Sequence, residues 1–135
     1  MERKNWWLMT WMLVLMVIPP VPGLAQDLPK FLLLATNRTG TMENELNEAG
    51  AQGYRFAGTQ GGETAFGGRE AVVIMQLDPT GRRFRYMLLA TSRTGTMQRE
   101  LNEAPPEFNF AGMTVFQSTF GGREAAVILE AVVED

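Results

Sequence analysis

The sequence predicts an α+β domain made of two tandem copies of one strand–helix–strand–strand (βαββ) unit. Residues 33–49 and 88–104 are identical at 14 of 17 aligned positions, with an offset of 55 residues between them. A second block, FGGREA, occurs at residues 66–71 and returns at residues 120–125. Self-similarity at a fixed spacing indicates a duplicated supersecondary unit. The two copies are assigned to residues 26–78 and 79–135.

Each unit begins with a predicted buried strand and continues into an amphipathic helix. Residues 30–36 (KFLLLAT) and 85–91 (RYMLLAT) are continuous apolar runs without helical spacing, which favours buried strands. Met42, Leu46 and Ala49 then stand at positions i, i+4 and i+7, and the second copy repeats this spacing. The pattern predicts a short helix that buries one face.

Threonine and proline mark the predicted ends of the helices. Thr41 and Thr96 are the predicted N-caps, with Thr39 and Thr94 as alternatives, because a threonine hydroxyl accepts a free backbone N–H at that position. The Pro105–Pro106 pair must end the second helix, because proline lacks the backbone donor and clashes with the preceding turn.

A predicted hairpin completes each unit. An alternating strand precedes each Gly-Gly pair, and a strand rich in Val, Ile and Ala follows it. A two-residue Gly-Gly loop is typical of a type I′ hairpin turn, and Asp78–Gly81 is the predicted turn between the copies. The hairpin segments are residues 54–56, 67–68 and 69–77 in the first unit and residues 108–110, 121–122 and 123–132 in the second.

The two copies are expected to bury their apolar faces against each other. A unit of about 50 residues is only marginally stable alone. We therefore expect one pseudo-two-fold domain, with an antiparallel sheet of about six strands and two helices packed on it. The strand aromatics are expected in its core: Phe31, Tyr54, Phe56, Tyr86, Phe108 and Phe110.

The first 25 residues predict a secretory signal peptide with cleavage after Ala25. Arg3 and Lys4 precede an apolar run at residues 6–18, and small residues stand before the cut. An uncleaved anchor is the alternative, but the run is shorter than the ~20 residues that a membrane span needs. We therefore expect a secreted or periplasmic protein that is not attached to a membrane after cleavage.

Composition narrows the classes of chemistry that are open to this chain. Histidine and cysteine are both absent, which excludes histidine acid–base catalysis, thiolate nucleophiles and the usual transition-metal ligands. The net charge of −3 gives no general attraction for nucleic acid. We expect no metal, no cofactor and no nucleic-acid partner.

Two repeated links between strand and helix are the candidate binding sites. Each places an arginine, two hydroxyls and free backbone N–H groups at a helix N-terminus, an arrangement that suits phosphate, sulfate or carboxylate. The alternative is a capped turn that binds nothing, although capping does not explain the arginines. The candidate residues are Arg38, Thr39, Gly40 and Thr41 in the first link and Arg93, Thr94, Gly95 and Thr96 in the second.

Other repeated polar residues have weaker functional interpretations. Glu45 and Glu100 could form a carboxylate pair of the kind that glycoside hydrolysis needs, or could simply keep a helix face soluble. Asn47 and Asn102 recur despite low helix propensity, and are expected to bond to a neighbouring loop or to a ligand. The Arg-Glu pair within each FGGREA block is expected to be a solvated ion pair.

The motifs LLAT, RTGTM, ELNEA and FGGREA resemble those of small bacterial proteins of unknown function, which often follow a signal peptide. This resemblance spans residues 31–77 and 86–132, and implies fold and location but no activity. The strand–helix–strand–strand order is also distantly similar to the dodecins, which are flavin-binding oligomers. Dodecins stack flavin on a tryptophan, whereas Trp6, Trp7 and Trp11 all fall in the predicted signal peptide. No flavin is therefore expected.

The sequence thus predicts an exported, non-enzymatic binding or structural module. Its expected partner is a small anionic ligand or another protein. The alternatives are a small carboxylate-dependent envelope enzyme and a homo-oligomeric assembly protein, in which open sheet edges pair between chains.

Overall fold

Two βαββ units follow each other along the chain in the computed structural model, and this confirms the predicted α+β class. The structure describes residues 27–63, 65, 68–117 and 122–135. The predicted signal peptide, Gly67 and Gly121 lie outside them. None of the described helices is both long enough and apolar enough to span a membrane. The elements are β1 (Phe31–Thr36), α1 (Thr39–Ala51), β2 (Tyr54–Gln60), β3 (Ala71–Leu77), β4 (Phe84–Thr91), α2 (Thr94–Glu103), β5 (Asn109–Gln117) and β6 (Arg123–Val132).

The six strands divide into two antiparallel sheets of three, one in each unit. Their orders are β1-β3-β2 and β4-β6-β5, so the last strand of each unit pairs on both sides and completes its sheet locally. Leu33 faces Ile74 in the first sheet, and their repeat equivalents Leu88 and Ile128 face each other in the second. The two units can therefore be compared residue by residue, with an offset of 55 through the first strand and helix and 54 through the hairpin.

Helix α1 lies at the centre of the main core. Met42 and Leu46 are fully buried, which confirms the predicted apolar stripe. They share one cluster with Val73 and Met75 of the first sheet and with Ile128 of the second. The predicted burial of one unit against the other is therefore achieved largely through α1.

The central strand of the second sheet, β6, is covered on both of its sides. Because side chains alternate across a strand, Ile128 and Tyr86 point toward α1, whereas Val127 and Leu129 point the other way. Val127 and Leu129 form a second cluster with Met97 of α2. Each helix therefore covers the corresponding face of its own sheet.

Two of the aromatic residues expected in the core are exposed instead. Tyr54 and Tyr86 are buried, but Phe31 is 54% exposed and Phe110 is 67% exposed. The strand pattern correctly identifies an apolar side chain, but it does not specify whether another element covers that side of the sheet. Here each side chain lies on an outward-facing surface, one on each unit.

The predicted threonine N-caps are wrong: each cap lies three residues before the predicted threonine and one residue before the alternative. Arg38 and Arg93 occupy the N-cap positions, and neither makes a side-chain cap hydrogen bond. The last threonine of each preceding strand provides the local bond instead, since the N–H of Arg38 donates to the Thr36 hydroxyl at 3.3 Å. The Thr91 hydroxyl does the same for Arg93 at 3.2 Å. A strand-end turn thus replaces the expected cap.

The turn between the units is held by a buried aspartate. Asp78 accepts hydrogen bonds from the backbone N–H of Arg82 at 3.1 Å and from its guanidinium at 3.2 and 3.3 Å. The Thr80 hydroxyl also donates to this carboxylate. The Arg82 guanidinium and the Thr80 hydroxyl together hold the pKa of Asp78 well below its usual range. This network confirms the predicted Asp78–Gly81 turn, in which Gly81 takes a φ of +77°.

Candidate functional site

The joint between the units is built from side chains that bond to free strand edges. The Asn47 side chain of α1 donates to the carbonyl oxygen of Tyr86 at 3.0 Å and accepts from its backbone N–H at 2.9 Å. The same amide donates to the Glu43 carbonyl within its helix at 2.9 Å. Asn47 therefore mimics a neighbouring strand at the open edge of β4. Asn47 thus bonds to a strand of the other unit, and not to the neighbouring loop or ligand that the sequence predicts.

Two carboxylates extend this pairing in opposite directions across the joint. Glu43 of α1 accepts the backbone N–H of Leu88 in β4 at 2.8 Å. Glu130 of β6 accepts the backbone N–H of Phe56 in β2 at 3.0 Å. Each unit therefore pairs a backbone N–H at an edge strand of the other unit. Hydrogen bonds from a backbone amide to a carboxylate are among the stronger ones.

Glu130 also accepts the buried hydroxyl of Tyr86 at 2.8 Å. Burial raises the pKa of the Tyr86 hydroxyl well above its ordinary value, and the charge of Glu130 adds to this effect. The phenol therefore remains a proton donor and helps to satisfy the carboxylate. A second acceptor, the Tyr54 carbonyl oxygen, lies 3.1 Å from the hydroxyl.

Close packing at the joint depends on two glycines. A Cβ added at Gly112 of β5 would overlap the ring of Phe56, so this ring sits directly on the glycine. A Cβ added at Gly50 of α1 would overlap the carbonyl oxygen of Phe84 and approach the Tyr86 ring at 2.9 Å. These contacts bring α1 against β4 and β2 against β5.

The contacts made by the helices are one-sided. A two-fold relation would place α2 against β1 as α1 lies against β4, but no hydrogen bond joins α2 to β1 in the described parts of the chain. Asn102, the equivalent of Asn47, donates only to the Gln98 carbonyl of its own helix at 2.8 Å. The predicted pseudo-two-fold relation therefore does not extend to the helices.

The two predicted anion-binding links have different surroundings. In the first link Arg38 and Thr41 are exposed, and nothing lies within 4 Å of a Cβ added at Gly40. In the second link Arg93 and Thr94 border a cavity of about 520 Å³ beside α2. The cavity lining is otherwise mostly apolar, and all of it belongs to the second unit: Thr91, Ser92, Met97, Gln98, Leu101, Met113, Val115, Arg123 and Ala125.

The sequence interpretation missed Arg123 as a residue that lines cavities. Besides the cavity beside α2, Arg123 lines a cleft of about 290 Å³ between the units together with its repeat equivalent Arg69. Arg69 pairs with Glu63 at 3.9 Å and not with Glu70 as the sequence predicts, and both side chains of this weak surface pair are largely exposed. The strict repetition of FGGREA was the signal that could have singled out these arginines.

The remaining candidate residues are not brought together in these cavities. Glu45 and Glu100 are half-buried on different helices, and neither lines the cavities just described. Within the described ranges, no group of three or more potential metal-ligating side chains occurs.

The chain matches no protein-family model, no curated protein and no solved structure. The resemblance to small exported bacterial proteins therefore stays a prediction.

Proposed function

We propose that this protein is an exported, non-enzymatic structural module that binds protein partners through two open apolar faces. The outer face belongs to the first sheet and consists of Phe31, Leu33, Gly58, Ile74 and Gln76. The distal face belongs to the second sheet beside α2 and consists of Phe110, Met113 and Val115.

The exposure of these two faces is the observation that carries the proposal. Phe31, Leu33 and Ile74 are adjacent on the outer face, and each remains about half exposed. Phe110 and Met113 are more exposed still, and they lie on one side of β5. Exposed apolar groups that are contiguous, rather than scattered, mark interaction surfaces in soluble proteins.

Polar groups of the backbone also favour a protein partner at the outer face. β1 is an edge strand of its sheet, so one row of its N–H and C=O groups is not paired within that sheet. A partner that presents an amide or carboxylate side chain would satisfy these groups, as α1 does for β4. A purely apolar ligand would leave them unpaired.

Chemical cross-linking inside the producing cells tests this function. We expect the native chain to be recovered in covalent complexes larger than one chain. Replacing both Ile74→Asp and Phe110→Asp should remove them, whereas Val132→Asp should not, because exposed Val132 lies outside both faces. Recovery of the native chain only as a single chain would contradict the proposal.

A second candidate function is binding of a small amphipathic anion in the cavity beside α2. Arg93 and Arg123 line the cavity together with Met97, Leu101 and Met113, which would suit a carboxylate or phosphate attached to an alkyl chain. Calorimetric titration with a medium-chain alkyl phosphate tests it. Heat that disappears in Arg93→Ala and persists in Arg38→Ala would support this function, and equal heats in both variants would contradict it.

A further inference from the structure

The residues exposed on the outer face are the repeat equivalents of residues buried at the internal joint. In the second sheet, the corresponding positions pack against α1 and the first unit. Tyr86 and Ile128 are buried there, and Leu88 is half-buried. Their equivalents on the outer face are Phe31, Ile74 and Leu33, all of which are exposed. The outer face of the first sheet is thus the exposed repeat equivalent of the face of the second sheet that packs against α1.

The distal face carries the matching half of the same joint. Internally, the Phe56 ring sits on Gly112. Their equivalents are Phe110, which is exposed, and Gly58, where an added Cβ would have nothing within 4 Å. The distal face therefore carries an exposed aromatic ring, Phe110. The outer face carries an uncovered glycine, Gly58, at the position equivalent to Gly112, on which the Phe56 ring packs internally.

The apolar stripe of α2 lacks the second covering sheet that the apolar stripe of α1 has. Met42 and Leu46 of α1 are fully buried beneath both sheets. Their equivalents in α2, Met97 and Leu101, line the open cavity beside the distal face. The cavity thus occupies the place that the second sheet fills in the first unit.

The polar bonds that Asn47, Glu43 and Glu130 make to backbone groups also have equivalents on the open faces. The hydroxyl bond of Tyr86 has none, because Phe31 stands at its position. Asn102 stands for Asn47, Gln98 for Glu43 and Gln76 for Glu130. A glutamine oxygen accepts a backbone N–H as a carboxylate oxygen does, so all three bonding roles are retained. Asn102 is exposed and bonds only within its own helix.

We propose that the partner is a second copy of this chain, bound head to tail, with its outer face seated on the distal face and α2 of the first. This inference rests on the proposed function and names its partner. Asn102 then bonds to the backbone of Phe31 in the next chain, and Phe110 packs on its Gly58. The contact joins two different surfaces, so each added chain still presents one free face of each kind.

Two residues make the contact between chains looser than the internal joint. Pro105 stands where Gly50 allows α1 to approach β4 closely, and Val115 stands where Gly61 packs against the backbone of Val115. Both substitutions add bulk where the internal joint has only a hydrogen atom. Association is therefore reversible and depends on concentration, while the joint within the chain is permanent.

Sedimentation analysis of the purified chain, as processed by its producing cells, tests this proposal. We expect a mass that exceeds one chain and rises with concentration. Phe110→Asp, which removes the ring of the distal face, and Gly58→Leu, which fills the outer-face seat, should each abolish association. An equimolar mixture should form a one-to-one heterodimer and nothing larger, because each variant retains the face that the other has lost. Val132→Asp is the matched control and should associate as the native chain does.

The outcomes separate this inference from the proposed function. A native chain that sediments as a monomer at all concentrations, yet is cross-linked in cells, would overturn self-association and leave a different protein partner. If the equimolar mixture of Phe110→Asp and Gly58→Leu forms no heterodimer, the head-to-tail arrangement would be overturned. Circular dichroism verifies that each variant is folded, and Met113→Asp and Leu33→Asp provide a second variant for each face, with the same complementation expected.

Discussion

The substitution Asn47→Ala tests whether side-chain bonds to the edge of β4 hold the two units together. It removes the donor to the Tyr86 carbonyl and the acceptor of the Tyr86 N–H, which lie 3.0 and 2.9 Å away. An unpaired buried backbone group costs roughly 1–3 kcal/mol. Because this edge is only partly buried, we expect a combined cost of about 2–3 kcal/mol for the two groups.

The matched control is Asn102→Ala, which changes the same residue type at the same position of the second helix. Both variants gain the better helix propensity of alanine, worth about 0.5 kcal/mol, so this contribution cancels in the comparison. Urea unfolding followed by circular dichroism, at a concentration low enough to keep the chain monomeric, gives both free energies of unfolding. Equal stabilities of the two variants would refute the role assigned to Asn47.

Three further predictions concern the joint and the turn. Gly112→Ala should destabilise the chain by about 1–3 kcal/mol in urea unfolding, because its methyl overlaps the Phe56 ring, whereas Gly58→Ala should not. Tyr86→Phe should cost about 1–2 kcal/mol at neutral pH through loss of the bond to Glu130. Because folding raises the pKa of Tyr86, its contribution is present below the unfolded pKa of about 10 and is lost as the pH rises above it, so the variant should show a weaker alkaline loss of stability. Because folding lowers the pKa of Asp78, its contribution is present above the unfolded pKa and is lost as the pH falls below about 4. Asp78→Asn should therefore flatten the acid limb of thermal stability measured against pH, and an unchanged limb would contradict this assignment.

The order of elements was predictable because local patterns determine it. Apolar runs, the spacing of Met42 and Leu46, and paired glycines each depend on a few neighbouring residues. Each of these patterns occurs in both copies of the unit, which supports the assignment of each element independently. The division into two sheets was not predictable in the same way, because it depends on which strand edges meet in space.

The errors at the sites have a common physical origin. Thr41 is a good N-cap in isolation, but the helix already begins at Thr39, after a turn in which the Arg38 N–H donates to the strand-end hydroxyl of Thr36. Phe31 and Phe110 have the composition of core residues, but burial depends on what lies across from each face. The low helix propensity of Asn47 was a usable signal of a specific bond, which the structure shows for Asn47, whereas its repeat equivalent Asn102 bonds within its own helix.

The chemistry of the three bonding positions differs between the joint within the chain and the contact that we propose between chains. Glu43 and Glu130 are desolvated once, during folding, and each is then held by backbone N–H donors in a fixed site. A contact between chains must desolvate its polar groups at every encounter, and burying a charge costs far more than burying an amide. Gln98 and Gln76 at the open faces supply the same acceptor without the charge. The replacement of both bonding carboxylates by amides at the open faces is consistent with the proposed reversible association between chains.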